Sequence, residues 1–204
     1  RRWTRSVAFP EKGRIDWIEG EVEVDMSPED VNTHGTPKVA VSGDIRTLIE
    51  GSDRGVVLSD ATRMSTPAAD LSAEPDVIVV LFESVESGKV RLVPKASRQE
   101  GRYVEIEGPA DLVVECVSDS SEDKDAHRLK DAYWRAGVRE NWLIDARMAP
   151  PALTVFRHSS RGYRAAPVRS DGFTPSSVLG VAVRLVRLPA RAGLVRHRLE
   201  TRPL

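Results

Sequence analysis

Two short runs of apolar residues constrain the fold of this chain more than any other feature of its sequence. The runs cover residues 77–82 and 112–117, and each is nearly continuous instead of alternating with polar residues. Continuous apolar strands are typical of the centre of a sheet that is covered on both faces. Because segments with helical spacing lie on either side, the sequence predicts an α/β fold with a central mixed sheet flanked by helices.

Each apolar run carries one acidic residue. Asp76 opens the first run directly after Pro75, and Glu115 is embedded in the second, "DLVVECVS". An ionised carboxylate is costly to bury unless a partner compensates its charge. If the strands pair, the two carboxylates can converge, and they repel unless a divalent cation lies between them or one stays protonated. Such a site suits Mg²⁺, which can activate water and stabilise the charge developing on a phosphodiester.

Residue types alone also allow a structural explanation of both acids. An Asp that opens a strand is often a turn residue, and a Glu within a strand can point to solvent at a sheet edge. The explanations differ in what they predict for Glu115→Gln. At a metal site the substitution removes like-charge repulsion and leaves the protein folded, whereas a Glu115 paired with an internal Arg or Lys predicts clear destabilisation.

Helical spacing predicts one helix before the apolar runs and one after them. The first has apolar residues at positions 41, 45, 48 and 49, and "SPED" is its predicted start, with Ser27 as the cap. The second is "SDSSEDKDAHRLKDAYWRAGV", with Ser120 or Ser121 as its cap and Gly137 near its end.

Alternating and β-rich segments predict further strands. "EVEVDM" after Gly20 alternates, which predicts a half-buried strand with Val22, Val24 and Met26 on the buried side. "GVVLSD" and "ENWLIDA" are predicted strands, and the segments after residue 150 suggest a closing antiparallel portion. We predict one domain over residues 1–204, with residues 185–204 as a basic C-terminal extension that forms a peripheral helix or an arm.

The overall charge and the single cysteine limit the cellular setting. The formal net charge of −1 does not by itself indicate nucleic acid or membrane, although the C-terminal stretch is basic and residues 19–30 are acidic. Cys116 is the one cysteine and lies in an apolar run, which predicts a core thiol in a reducing, cytoplasmic compartment. No run approaches the ~20 apolar residues of a membrane span.

Several segments taken in order resemble one nuclease family. These are "IDWIEGEVEVDMSP", "EPDVIVV", "GPADLVVECVSDSSEDKD" and "YWRAGVRENWLIDAR". They are similar to the restriction-endonuclease family of the PD-(D/E)XK superfamily known as Uma-type endonucleases, from about residue 15 to about residue 156. The resemblance implies a restriction-endonuclease-like core and Mg²⁺-dependent hydrolysis of DNA phosphodiester bonds, with Mn²⁺ as a substitute ion.

The resemblance also implies roles for individual residues. Asp76 and Glu115 would bind the metal, His34 would act as a general acid/base or donate to a phosphate, and Glu21 would join the acidic cluster. The superfamily's usual lysine lies two residues beyond the strand acid, where this chain has Val117.

The family is known for moving this lysine into the next helix, which offers Lys124 and Lys130. We favour Lys124 because the start of that helix lies beside the end of the strand.

Two other functions remain open from sequence. The displaced lysine and the small net charge also fit a non-catalytic nucleic-acid-binding or interaction module that keeps the fold, and an enzyme acting on another phosphate ester is a third reading. Cleavage of both DNA strands would favour a symmetric homodimer.

Overall fold

The computed structural model describes residues 13–97, 99–119 and 124–204, and only the backbone of residues 124–126. In chain order the strands are β1 (Arg14–Ile18), β2 (Glu21–Asp25), β3 (Gly55–Ser59), β4 (Arg63–Thr66), β5 (Leu71–Ala73), β6 (Val77–Leu81), β7 (Arg91–Pro94), β8 (Tyr103–Glu107), β9 (Leu112–Cys116), β10 (Glu140–Asp145), β11 (Ala152–Ser159), β12 (Gly162–Ala165), β13 (Thr174–Ser176), β14 (Val181–Arg191) and β15 (Leu194–Pro203). The α-helices are α1 (Thr36–Ile49), α2 (Phe82–Glu86) and α3 (Lys130–Ala136), with π-helical turns at Val31–Gly35 and Lys124–Leu129 and a 3₁₀ turn at Pro67–Ala69.

The strands form three sheets, and the second of them holds both apolar runs. The strand orders are β2-β1-β5-β4-β8-β7, β12-β11-β10-β9-β6-β3 and β13-β14-β15. In the second sheet β9 and β10 are parallel, while the other neighbours are antiparallel. The predicted α/β fold with a central mixed sheet is therefore confirmed, with the apolar runs as its adjacent strands β6 and β9.

Burial on both faces explains why β6 and β9 are apolar throughout. Every residue of both strands is buried. Val79 and Val114 on one face share a core with Val41 and Ile45 of α1. On the other face the core includes the Leu129 side chain, just ahead of α3. Each fully buried aliphatic side chain contributes roughly 1.5–3 kcal/mol, so the two helices fix this sheet from both sides.

The predicted helices are present, but the first starts later than predicted. Residues 26–30 are not helical, because the Asp30 side chain caps the turn that follows by accepting from the amides of Asn32 (2.9 Å) and Thr33 (2.7 Å). The second helix ends as predicted at Gly137, which has a left-handed φ of 86°. Its predicted caps Ser120 and Ser121 lie outside the described residues. Within the described part of the chain, no helix has the length and apolar character needed to span a membrane.

The predicted orientation of the strand after Gly20 is wrong. Val22, Val24 and Met26 are 51%, 58% and 68% exposed. This strand is β2, at the edge of the first sheet, and Arg128 forms ion pairs with Glu21 and Glu23 on it. Glu21 is itself 70% exposed, so both sides of this edge strand face solvent in part, and the valines are not covered.

Residues 185–204 form strands and not a peripheral helix. They belong to the ribbon of β14 and β15, which pair in antiparallel register from Val181↔Pro203 to Arg191↔Leu194. Leu185 and Leu199 are buried in the same core as α1. This segment is therefore tied to the body of the protein by apolar packing.

His197 of β15 should make stability depend on pH. Its Nδ1 lies 3.1 Å from the Thr36 hydroxyl, and its Nε2 is buried with no hydrogen-bond partner among the described residues. Burial, with a smaller effect of Arg187, lowers the pKa of His197 below its usual value. The folded state thus binds a proton on His197 less readily than the unfolded chain does. The stability that the neutral imidazole contributes is fully present above the unfolded pKa of about 6.5 and is lost as the pH falls through the folded pKa.

We expect the melting temperature of the wild type to fall more between pH 8 and 5 than that of His197→Asn. The measurement is thermal melting across this pH range, where the ordinary histidine pKa is about 6.5. His127→Asn, at an exposed histidine, should follow the wild type. Parallel curves of melting temperature against pH for all three proteins would contradict the assignment of this pH dependence to His197.

Candidate functional site

A cleft of ≈ 410 Å³ opens at the beginning of β6. Arg14, Glu29, His34, Asp60 and Asp76 are among the residues that line it. A larger and more open cavity of ≈ 680 Å³ lies beside Trp134 and His158, but none of the predicted site residues whose side chains are described lines it. The chemistry predicted from the sequence therefore belongs to the smaller cleft.

Strand pairing brings Asp76 and Glu115 to the same place. β6 and β9 are antiparallel with Val77 opposite Val114, which sets the two acids opposite each other at the next position. Both are buried, at 5% and 0% exposure. Asp76 Oδ2 accepts a hydrogen bond of 2.7 Å from the Cys116 amide, which fixes this carboxylate at the strand end.

The positive charge beside Glu115 comes from Arg14. Its Nη2 lies 3.0 Å from Glu115 Oε2, its Nη1 3.8 Å from Asp76 Oδ1, and its Nε 3.1 Å from Asp16 Oδ2. Burial alone lowers the pKa of Arg14, but Glu115, Asp16 and Asp76 outweigh it and raise that pKa well above its ordinary value. The guanidinium thus lies where the sequence predicted a metal ion between the two strand acids.

Tyr133 completes the surroundings of Glu115. Its hydroxyl donates to Glu115 Oε1 at 2.5 Å, and the ring is fully buried. Burial and the neighbouring Glu115 charge raise the pKa of Tyr133 well above its usual value, so the phenol stays a donor. Each oxygen of Glu115 therefore has a strong partner supplied by the protein itself.

A second acidic group, beside Asp76, has the composition of a metal site. One ligand atom each from Glu29, His34 and Asp76 lies within 4.8 Å of the other two. His34 Nε2 is 3.5 Å from Asp76 Oδ2, and His34 Nδ1 is 3.2 Å from Glu29 Oε2. The π-helical turn before α1 carries His34, and the Asp30 cap sets the start of that turn.

The His34 ring supports the fit of this group to a metal. Its Nδ1 is buried and makes no hydrogen bond within the described part of the chain, although it lies 3.2 Å from Glu29 Oε2. An imidazole nitrogen with two carboxylates suits Mn²⁺, Fe²⁺ or Zn²⁺ better than an all-oxygen site does. The residues present can therefore hold a divalent ion through Glu29, His34 and Asp76.

Without an ion, His34 and Asp76 are held as a charged pair. Burial lowers the pKa of His34, but the hydrogen bond and charge of Asp76, and then Glu29, raise it overall. Burial raises the pKa of Asp76, but His34, Arg14 and the Cys116 amide lower it below its usual range. Asp76 is thus kept ionised, as a metal ligand must be.

Lys38 is a site residue that the sequence did not single out. Although α1 buries it to 6% exposure, its Nζ lies 2.5 Å from Glu29 Oε1 and 2.9 Å from Asp60 Oδ1. Burial lowers the pKa of Lys38, but the hydrogen bonds to Glu29 and Asp60 and the charge of Asp76 raise it overall. The sequence did contain a pattern that could have identified Lys38. This residue continues the apolar stripe of Val41 and Ile45 at helical spacing, where a lysine is unusual.

The other predicted site residues lie elsewhere. Glu21 is not brought to the cluster: its side chain is 70% exposed and lies 2.7 Å from Arg128 Nη2. Lys130 Nζ lies 5.3 Å from the centre of the Phe156 ring. The side chain of Lys124 lies outside the described residues, so its predicted role stays a prediction.

The ion pair between Arg14 and Glu115 reverses the effect on stability that a metal site predicts for Glu115→Gln. Removing one partner of a buried ion pair costs about 3–5 kcal/mol, because the other charge is left uncompensated. We therefore expect Glu115→Gln to lower the free energy of unfolding by about this amount, even in the presence of chelator. Denaturant unfolding measures it.

The matched control is Glu86→Gln, which removes an exposed carboxylate. It should leave the unfolding free energy unchanged within ~0.5 kcal/mol. An unchanged or raised stability of metal-free Glu115→Gln would show that repulsion from Asp76 outweighs the pairing with Arg14.

Comparisons with known proteins identify the family of this chain and a structure with a similar fold. The model of the Uma2 family, described as "Putative restriction endonuclease", matches residues 2–189. The structure is similar to the crystal structure of "a putative nuclease belonging to DUF820" from Anabaena variabilis ATCC 29413, with a TM-score of 0.61 and 16% identity over 81% of this chain and 82% of that chain. Among proteins with curated descriptions, none matches. Because the family match spans most of the chain, the resemblance seen in the sequence is confirmed, and this protein belongs to the Uma2 family, whose description is "Putative restriction endonuclease".

Proposed function

We propose that this protein is a metal-dependent endonuclease that hydrolyses DNA phosphodiester bonds in the cleft at the start of β6. The observation that carries the proposal is the group of Glu29, His34 and Asp76, whose ligand atoms lie within 4.8 Å of one another. The family supplies the class of reaction, and the similar protein from Anabaena variabilis is itself described as "a putative nuclease".

The charges that line the cleft favour a cation. Among the described lining residues, the carboxylates are those of Asp25, Glu29, Asp60, Glu74 and Asp76, and the cationic groups are Arg14 and His34. Lys38 pairs with Glu29 and Asp60, and Arg63 pairs with Glu74, which leaves a small excess of carboxylates around the cleft. This excess favours a divalent ion over a phosphate that arrives without one. A bound ion would supply an activated water and stabilise the charge that develops on the phosphate.

The protein's own groups hold the site in shape. The Cys116 amide fixes Asp76, and Arg14 compensates the buried Glu115 so that the end of β9 can remain apolar around it. Lys38 holds Glu29 toward the cleft from α1. We assign to Lys38 the part of the site lysine, because it adjoins Glu29 and carries a charge that acts on Asp76.

Glu115 and Glu21 take smaller parts in this proposal. Glu115 holds Arg14 in place, and Glu21 binds Arg128 outside the cleft. Mn²⁺ is the ion we propose first and Mg²⁺ the second, because one of the three ligands is an imidazole. Cleavage of both DNA strands would take two copies related by a twofold axis.

Metal-dependent cleavage is the direct test. We expect Mn²⁺ to support nicking of plasmid DNA by the wild type, and Asp76→Asn or His34→Gln to lower the rate by about 100-fold or more, because each removes a metal ligand. Agarose gels follow the conversion of supercoiled DNA with time.

Asp131→Asn is the matched control, since it removes an exposed carboxylate of α3 and should cleave at the wild-type rate.

Thermal melting separates metal binding from cleavage. A hundredfold excess of Mn²⁺ over its dissociation constant should stabilise the wild type by roughly 2.7 kcal/mol, and the two ligand variants should lose this effect. DNA binding without cleavage in any divalent ion would favour the non-catalytic module instead.

The lysines are tested by separate substitutions. Lys38→Met keeps the length of the side chain but removes the charge, and we expect it to slow cleavage by about 10²–10³-fold, as the loss of one charged or hydrogen-bonding group does in other sites. Lys130→Ala should be nearly silent, because Lys130 lies over Phe156.

Lys38→Arg is the control that retains the charge, and it should keep part of the activity. Melting temperatures of all variants show whether a loss reflects unfolding. If Lys124→Ala alone abolishes cleavage, the sequence-based choice of Lys124 is right and the assignment to Lys38 is wrong.

A further inference from the structure

The far end of the β14–β15 ribbon carries three arginines without acidic partners. Arg187, Arg191 and Arg196 are exposed and form no ion pair within the described part of the chain. The remaining arginines of these strands differ from them. Arg184 and Arg198 pair with Glu200, and Arg202 pairs with Asp171. We call residues 187–196 the ribbon end.

The strand register gives the ribbon end positive charge on both faces. Arg187 is opposite His197, and Arg196 is opposite Leu188 in the next pair. Successive pairs of an antiparallel ribbon point to opposite faces, so these two arginines lie on opposite faces. A ligand that approaches the ribbon end from either side therefore meets an uncompensated guanidinium.

Hydrogen bonds hold the ribbon end beside the candidate active site. Asn32 Nδ2 donates to the Gly193 carbonyl at 3.0 Å, and Asn32 Oδ1 accepts from the Val195 amide at 2.9 Å. Asn32 lies in the same π-helical turn as His34. One side chain thus ties the tip of the ribbon to the segment that carries a proposed metal ligand.

A continuous surface joins the two places. A groove of ≈ 610 Å³ is lined by Glu29 at one side and by Leu188, Arg196 and His197 at the other. Glu29 also lines the cleft described above. A polymer that crosses the cleft can therefore continue along the groove to the ribbon end.

The ribbon end extends beyond the region that defines the family. The family match ends at residue 189, so Arg191 and Arg196 lie outside it. Arg187, the first residue of the ribbon end, lies within the matched residues.

We propose that the ribbon end binds the phosphates of duplex DNA on one side of the cleaved bond. Arginine is well suited to this, because its planar guanidinium binds phosphate oxygens through paired hydrogen bonds. The sequence of β14 and β15 contains no Phe, Trp or Tyr, whereas binding of unpaired bases relies on exposed aromatic rings for stacking. The inference rests on the proposed nuclease function for the identity of the polymer.

The test is DNA binding by a variant with Arg187, Arg191 and Arg196 changed to Gln. A labelled DNA duplex is titrated with protein in the presence of chelator, and fluorescence anisotropy gives the dissociation constant at several salt concentrations. Each phosphate contact contributes about 0.9 to the slope of log affinity against log salt, so three lost contacts lower the slope by about 2.7. Between 50 and 200 mM salt, the affinity of the wild type should fall about 40-fold more than that of the variant.

The matched control changes Arg102, Arg161 and Arg164 to Gln, which removes the same charge from exposed positions elsewhere. It should keep the affinity and the slope of the wild type. Equal slopes for the ribbon variant and the wild type would overturn the proposal, as would equal losses in both triple variants. Tighter binding of single-stranded DNA or of RNA than of the duplex would overturn the choice of ligand.

The chelator makes the outcome independent of catalysis. If the ribbon variant loses salt-dependent binding while wild-type protein cleaves no DNA in Mn²⁺, the ribbon assignment stands and the proposed nuclease function fails. If the wild type cleaves DNA and the ribbon variant binds DNA like the wild type, the proposed nuclease function stands and the ribbon assignment fails. Unchanged melting temperatures are expected for both triple variants, because all six side chains are exposed.

Discussion

The ion pairs that the Arg14 guanidinium forms are the interaction on which the rest of the site depends. Three carboxylates, from Asp16, Asp76 and Glu115, lie around it, and two of them belong to the central sheet while Arg14 belongs to the first sheet. Burying these charges separately would be prohibitive, and the cluster becomes tolerable because every member has a partner. The same contact joins the two large sheets and holds the ends of β6 and β9 where the cleft opens.

The apolar core and the polar cleft are two ends of the same strands. β6 and β9 are buried on both faces by helices, and this rigid arrangement fixes Asp76 at the point where the core stops. His34 and Lys38 come from the start of α1, which packs on that core. Lys38 occupies a position of the apolar stripe of the helix, and its charge is compensated by Glu29 and Asp60. Ligands held by packed elements keep their geometry better than ligands on loops.

Opposite charges are separated across the surface. The cleft is lined mainly by carboxylates, which favours a cation and disfavours a bare phosphate. The ribbon end is basic on both faces and is held beside the cleft by Asn32. An enzyme that must attract a polyanion and also bind a divalent ion needs both kinds of surface, and neither is visible in a net charge of −1.

The sequence by itself determined the central strands, the helical stripes and the family, and it placed Asp76 and His34 among the candidate site residues, because each follows from local patterns or from an ordered set of motifs. The tertiary structure decided the partners. Arg14 is separated from Glu115 by 101 positions in the chain, and no local pattern links them. It also decided that β2 lies at the edge of a sheet, where its valines stay exposed, and that Lys38 is buried beside Glu29. Charge pairing across distant segments depends on which surfaces meet, and only the folded chain brings those surfaces together.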